Sequence, residues 1–455
     1  MGFVLAVFYF VVTYLGTGTI FGSFAAYHIE LILAVVILLV SLPALLRSFI
    51  FKTPQSLALI GLALAVFLSM LIGAHWAGGA VKAVLDFVPS IYAYFLVCLH
   101  CNTRGRLKIL ISMLLFVCMF VIVHGIIDLR HGVSLIDPRH PEVTSSPYIL
   151  AQTNDAREQI YRLKGQNFLN DPNDFAQFIV CVIPLAFFFW RAKKTVRNLV
   201  LVLMPVGLLL YGVFLTHSRG AVVALMAVLV VALRRRIGTL PSLLGAGAMF
   251  LAAMALNFTG GRSISAGSGS DRTALWGEGL QLLKSHPLFG VGFNQMADQV
   301  GMTAHNSVVV CAAELGLTGL FFWSMFLFPS LRDAIAVASP EKVREGTPFE
   351  SKDQHDSLKP VETDPIDKAE INRMGRLMIL SFTGFLVAGW FLSRAYIMTF
   401  FLLGGMAEVV FEMALQRGTI ASRLPLARVL LYAGILTISL IVLVYILIRV
   451  LNLVH

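Results

Sequence analysis

The sequence predicts an all-α polytopic membrane protein of about twelve to thirteen transmembrane helices, and three observations carry that prediction. Of its 455 residues, 58% are hydrophobic and only 13% are charged, a balance outside the range of ordinary soluble domains. Apolar runs recur from one end of the chain to the other, many of them near the roughly 20 residues that a helix needs to cross about 30 Å of hydrocarbon. Lys and Arg collect at alternate turns between those runs.

The runs fall near 3–22, 30–49, 56–74, 82–100, 108–128, 173–191, 198–215, 219–233, 240–257, 306–330, 376–393, 397–415 and 428–450. The opening MGFVLAVFYF has no basic leading region and no small-residue cleavage site, so it is expected to be a first span and not a removed leader. Arg47 and Lys52, then Arg104, Arg106 and Lys108, then Arg191, Lys193, Lys194 and Arg197, then Arg234 to Arg236, then Arg417, Arg423 and Arg428 all fall on one side. The positive-inside rule makes that side cytoplasmic. The formal net charge of +10 follows from this bias and is not a nucleic-acid footprint.

Residues 1–455 are expected to form a single membrane domain with three long loops. Two, 129–172 and the larger 258–305, lie on the outer side and mix aromatic residues with Arg, His, Asn and Gly, the composition of loops that handle ligands. The third, 332–375, is cytoplasmic. The stretch from 332 to 376 holds ten acidic and eight basic residues, and PEKVREGTPFESKDQHDSLKPVETDP within it has almost no apolar content, so this loop is expected to be flexible. Five cysteines lie in or beside apolar runs. CLHC at 98–101 lacks the second pair a metal site needs, so they read as small buried hydrophobes and no metal is expected.

Ionisable groups in a bilayer cost several kcal/mol and point to function. Here they gather at the outer ends of spans: Lys82 in GGAVKAVLDF, Arg162 in RLKGQNFLNDPNDFAQF, Arg219 in LTHSRGAVV, Arg272 in GSDRTALWGEGL and Arg394 in WFLSRAYIM. Snorkelling to headgroups accounts for one such residue alone, but five cations on the outer side run against the positive-inside bias. Guanidinium and ammonium groups at an interface suit the gripping of phosphates, and at a membrane surface the obvious phosphate is a lipid's.

His305, which heads TAHNSVVVCAAELGLTG with Asn306 beside it, supplies a group that exchanges protons near neutral pH. Glu314 lies nine residues on, about 13.5 Å along a helix, too far to partner His305 directly. An interhelical hydrogen bond is expected of it, with Gly316 and Gly319 permitting close helix approach. DPN at 171–173 reads as a helix start, and PLFGVGFNQ at 287–295 as a rigid glycine turn.

The succession RLKGQNFLNDPNDFA, THSRGA, DRTALWGEGL, HPLFGVGFNQ and HNSVVVCAAELGLTG resembles the O-antigen ligase and O-antigen polymerase superfamily, over about residues 160–320. The resemblance implies a GT-C-like inverting glycosyltransferase in the bacterial inner membrane, working without a metal or cofactor. It would take a glycan from undecaprenyl diphosphate on the periplasmic face and pass it to the lipid A core, to another lipid-linked repeat, or to a protein hydroxyl. By the same resemblance, Arg162, Arg219 and Arg272, with Lys82, Arg394 and Asn306 in support, would hold the diphosphate and substrate, and His305 would act on the acceptor. A transporter of the lipid-linked glycan and a non-enzymatic scaffold are the competing classes. Partners other than substrates and the bilayer, and the oligomeric state, are not legible.

Overall fold

The computed structural model describes residues 1–16, 29–47, 52–130, 146–153, 159–255, 266–339, 365–420 and 422–454. In hydrocarbon each backbone N–H and C=O must be satisfied within the chain, so apolar segments become helices. The helices are α1 (Gly2–Leu15), α2 (Ile29–Arg47), α3 (Pro54–Leu68, extended by a π-helical turn Ser69–Gly73), α4 (Ala77–His100), α5 (Arg104–Arg130), α6 (Pro172–Ala186) and α7 (Thr195–Thr216). They continue with α8 (Arg219–Ile237), α9 (Thr239–Ala255), α10 (Ala266–Ser285), the short α11 (Met296–Val300), α12 (Ser307–Ala338), α13 (Pro365–Gly389), α14 (Met398–Gln416) and α15 (Leu426–Val454).

A helix underlies each of the expected spans, and among the described residues eight helices are long and apolar enough to cross a membrane. The chain is therefore an all-α polytopic membrane protein. Of the charged loop expected at 332–375, residues 332–338 end α12 and 365–375 begin α13, and the segment 340–364 lies outside the described residues. The cysteines are free, four of them buried and Cys98 partly so.

Polar caps set the starts of the helices that matter most for the site. Asp171 accepts from the Asn173 N–H at 2.7 Å, with Pro172 as the first residue of α6. Asn306 Oδ1 accepts from the N–H groups of Val308 and Val309 at 2.9 and 3.1 Å and starts α12. One feature falls outside the all-helical expectation. Strands β1 (Ile149–Thr153) and β2 (Gln159–Leu163) pair antiparallel in the first outer loop, with Leu150 opposite Arg162.

Helix α12 is the axis of the bundle and packs on α3, α13, α14 and α15. Trp323 stacks on Phe400 at 5.3 Å, and Phe326 meets Phe400, Phe401 and Tyr94 at 5.0, 5.3 and 5.7 Å. Gly404 of α14 admits this ring: a Cβ there would lie 2.2 Å from Phe326 Cζ.

The upper part of α12 is broken. Gly316 has φ 65° and ψ −164°, a region essentially reserved for glycine. The backbone groups freed by the break are paired with the loop that follows α10: Val291 and Gly292 N–H donate to the carbonyls of Ala313 and Glu314, both at 3.0 Å. In return, the Leu317 and Thr318 N–H groups donate to Pro287 and Leu288 at 2.8 and 3.2 Å. Gly316 therefore permits the close approach of a loop, where a helix was expected, and the atoms nearest a Cβ at Gly319 belong to Leu315 of its own helix. The PLFGVGFNQ stretch is this inserted loop. It is tied further to α3 by Phe293 N–H donating to Ser69 Oγ at 3.2 Å.

Candidate functional site

The site is built where the α6 start, the α7–α8 turn, α10, the α12 cap and the α13–α14 loop meet. His305 adopts φ 49° just before the cap, and neighbours hold its backbone on several sides. Its N–H donates to Ser393 Oγ at 2.9 Å. Ser307 Oγ donates to the Leu392 carbonyl at 2.7 Å and accepts from the Arg394 N–H at 3.1 Å. Trp276 of α10 donates to the Ala304 carbonyl at 3.0 Å and meets Trp390 edge-on at 6.0 Å. The effect is to fix the turn while the imidazole stays half-buried.

The charges around that ring come from four separate segments. Burial, then the field of Arg272, hold His305 below the ordinary imidazole range; Asp171 opposes this and Arg394 adds to it. Arg272 is lowered by burial and by Arg219, which stands as the first residue of α8. Arg394 contacts Asp174 Oδ2 at 2.5 Å; burial alone would lower the guanidinium, but Asp174, with Asp171 behind it, raises it. His305 thus lies in the fields of Arg272 and Arg394, and Arg272 in that of Arg219, while the α6 cap and first turn contribute both carboxylates.

Arg162 belongs to the layer beneath. It is 3% exposed and donates to the Thr216 carbonyl at 2.9 Å, to Gln152 at 3.0 Å and to Asn173 Oδ1 at 3.0 Å. It therefore clamps the hairpin, the α6 start and the α7–α8 turn together, directly behind Arg219. Lys82 pairs with Asp86 one turn on at 2.6 Å, with both side chains largely exposed. Asn306 spends its carbonyl oxygen on the α12 cap, while its buried Nδ2 has no hydrogen-bond partner among the described residues. Glu314, 2% exposed, faces the N–H groups of Asn294 and Met296 and the Tyr396 hydroxyl across the break in α12. Its partners are thus the inserted loop and the α13–α14 loop, in place of the neighbouring helix expected.

Sequence reasoning passed over Asp174, Ser307, Ser393 and Trp276. Asp174 had a signal, an acid in the first turn of a capped helix beside a cationic cluster. The two serines had none, because their role is to join segments distant in sequence.

Below Ser307 and Val308 an apolar groove of about 470 Å³ opens between α12, α13 and α15. It runs past Trp323, Phe385 and Leu327 toward Ile335, with Leu436 and Leu440 on its far wall. One end of the groove is two residues from His305.

The Asp174–Arg394 pair predicts a stability effect. Arg394→Ala leaves a buried carboxylate without its cation. Because the guanidinium side is 45% exposed, the cost falls below that of a fully buried pair, at ~2 kcal/mol. Thermal melting in detergent is expected to register that loss, and Asp174→Asn added to Arg394→Ala to recover most of it.

A family model described as O-Antigen ligase matches residues 204–324. That segment runs from within α7 to the middle of α12 and contains Arg219, Arg272, His305, Asn306 and Glu314, whereas Arg162 and Arg394 lie outside it. No curated protein sequence matches the chain. The match over residues 204–324, which hold Arg219, Arg272 and His305, supports the resemblance of this part of the chain to the O-antigen ligase and polymerase superfamily of membrane enzymes.

Proposed function

We propose that this protein transfers a glycan from undecaprenyl diphosphate to an acceptor hydroxyl on the periplasmic face of the bacterial inner membrane, as an O-antigen ligase with the lipid A core as acceptor. The observation that carries this reading is the field of Arg272 and Arg394 at His305, with Arg219 acting on Arg272 and an apolar groove that begins at Ser307, two residues on. A polyprenyl diphosphate has that shape: two phosphates on a hydrocarbon chain. The chain would lie along Trp323, Phe385 and Leu327 with the diphosphate at the guanidiniums.

In the reaction, the acceptor oxygen attacks the anomeric carbon from the face opposite the diphosphate and gives its proton to His305. The bond from that carbon to the phosphate oxygen breaks, and its electron pair stays on the diphosphate. Fixed cations stabilise this growing charge more in the transition state than in the ground state, and thereby supply electrostatic help without a metal. Arg162 acts one layer back by fixing the turn that presents Arg219.

The transporter reading is weakened by the state of the broken helix. Transporters expose freed backbone groups to their cargo near the midplane. Here the Ala313 and Glu314 carbonyls accept hydrogen bonds from the inserted loop.

The test is reconstitution of the purified protein in liposomes with a lipid-linked repeat, with and without a lipid A-core acceptor. Transfer to the core supports ligation; chain lengthening with no core present supports the alternative, a polymerase of lipid-linked repeats. In the same assay Arg219→Gln and Arg272→Gln are each expected to cut turnover about 10²–10³-fold, the effect of removing one donor to a developing oxyanion, while EDTA leaves the rate unchanged. Full activity in both variants would sink the enzyme reading.

A further inference from the structure

At the end of the bundle opposite His305, α5, the α6–α7 turn and α13 bring cations onto a single carboxylate. Glu370 is 5% exposed and is contacted by Arg104, by Arg191 at 3.0 Å and by Arg373 at 3.4 Å. Arg373 also donates to the carbonyls of Trp190 and Phe188 at 2.7 and 3.1 Å, which closes the end of α6. This hub is bonded within the protein.

Two further cations stand beside it. Lys108, one turn along α5 from Arg104, lies over the Phe188 ring at 5.8 Å. Lys108 lies in the fields of Arg104, Arg191, Arg197 and Glu370. Three cations thus contact one carboxylate, Lys108 lies in its field with Arg197 nearby, and neither Lys108 nor Arg197 has an acidic contact partner among the described residues. Their mutual repulsion at the edge of a low-dielectric layer favours an anion.

The surface next to these charges is apolar. Ile109, Val196 and Leu199 are 49%, 76% and 50% exposed, and Trp190 stacks on Phe187 at 6.2 Å, the placement of an interfacial aromatic. A soluble anion gains nothing from that surface, whereas a lipid covers it. The loop charges make this end cytoplasmic. Basic pockets between helices on that side are suited to anionic headgroups, and a zwitterionic headgroup would bring its own ammonium against the cluster.

We propose that Lys108 and Arg197, positioned by the Glu370 hub, bind the phosphate of an anionic phospholipid of the cytoplasmic leaflet, with its acyl chains along Ile109, Val196 and Leu199.

The experiment is native mass spectrometry of the delipidated full-length protein titrated with phosphatidylglycerol, phosphatidylcholine or inorganic phosphate. Phosphatidylglycerol is expected to be retained in preference to phosphatidylcholine. Removing both charges in Lys108→Gln/Arg197→Gln is expected to weaken it about thirty-fold, from about a factor of five per charge near a membrane surface. Arg236→Gln, an exposed cation at the same end, is the control and should leave retention unchanged. Equal binding of the two lipids, or equal loss in the control, overturns the proposal, because diffuse surface charge then accounts for the attraction. Displacement of phosphatidylglycerol by inorganic phosphate at equal concentration overturns it in favour of a soluble anion. If the double variant fails to fold, each single variant is read against the control by the same criteria.

Discussion

His305→Ala is expected to lower turnover by about 10²–10⁴-fold, the usual contribution of a positioned general base, with little change in the affinity for the lipid-linked donor. The reason is the division of labour at the site. In the proposed arrangement the donor's charge falls on Arg219, Arg272 and Arg394, and its tail on the groove, so binding is expected to survive the loss of the imidazole. The loss falls on the step in which the acceptor gives up its proton. Donor affinity measured on the detergent-solubilised protein, beside single-turnover rates, separates the two. A variant that binds donor tenfold more weakly yet turns over normally would reverse the assignment and make His305 part of the diphosphate clamp.

The pH dependence carries the same argument. Burial and the Arg272 field hold His305 below about 6.5. The unliganded enzyme therefore keeps a neutral imidazole at pH values where an exposed histidine is already half protonated. The acid limb of kcat/KM, which reports the free enzyme, is expected to turn over below pH 6.5. Arg272→Gln removes one of the fields that lower it and is expected to move that limb upward. The linkage to stability has a fixed sign: a group whose folded value lies below its unfolded one binds fewer protons when folded. The fold therefore loses stability as pH falls below 6.5 toward the folded value. When the dianionic donor binds, it offsets the field of the arginines, so His305 becomes a stronger base with substrate present. The acid limb of kcat is accordingly expected at higher pH than that of kcat/KM.

The helices were legible because hydrocarbon leaves an apolar segment few alternatives to a helix, and a helix underlies each expected span, eight of the described ones long and apolar enough to cross a membrane. Arg219, Arg272, Arg394 and His305 drew notice in the sequence because ionisable groups at the ends of membrane spans are costly and need a reason to be there. Arg162 was seen as charge but not as clamp. Its three hydrogen bonds reach Thr216, Gln152 and Asn173, residues that only the fold brings near it. Lys82 carried the same local signal as the other cations, an outer helix start, and its satisfaction by Asp86 is a matter of rotamer and distance. The break in α12 was hidden for a different reason. In sequence, Glu314, Gly316 and Gly319 sit in a run apolar enough to be one straight helix, and glycines there usually admit a neighbouring helix. Nothing local distinguishes that neighbour from a loop.

That break yields a second large effect. Gly316→Ala is expected to abolish accumulation of folded protein or to lower its melting temperature by more than Arg394→Ala does. An added Cβ would lie 2.5 Å from the backbone carbon and oxygen of Leu288 and 2.7 Å from Gly290 N, all main-chain atoms with no rotamer to yield. The backbone conformation itself costs a non-glycine residue ~1–3 kcal/mol before any clash. Gly290 has the reciprocal constraint, with φ 66° and a Cβ position 2.3 Å from the Glu314 carbonyl carbon, so Gly290→Ala is expected to do comparable damage. By contrast, a Cβ on Gly277 of α10 meets nothing within 4 Å, and Gly277→Ala is expected to be neutral or to stabilise by up to ~1 kcal/mol. Glu314 separates architecture from chemistry. Its carboxyl faces the N–H groups of Asn294 and Met296, so Glu314→Gln keeps an acceptor there and is expected to fold and retain most activity. Glu314→Ala leaves those donors buried, frees the loop that braces the upper part of α12, and lowers kcat through a displaced His305 while KM for the donor changes less. If Gly316→Ala and Gly277→Ala melt together, the inserted loop is not what holds α12 in its broken form, and the rigidity assigned to the His305 turn loses its support.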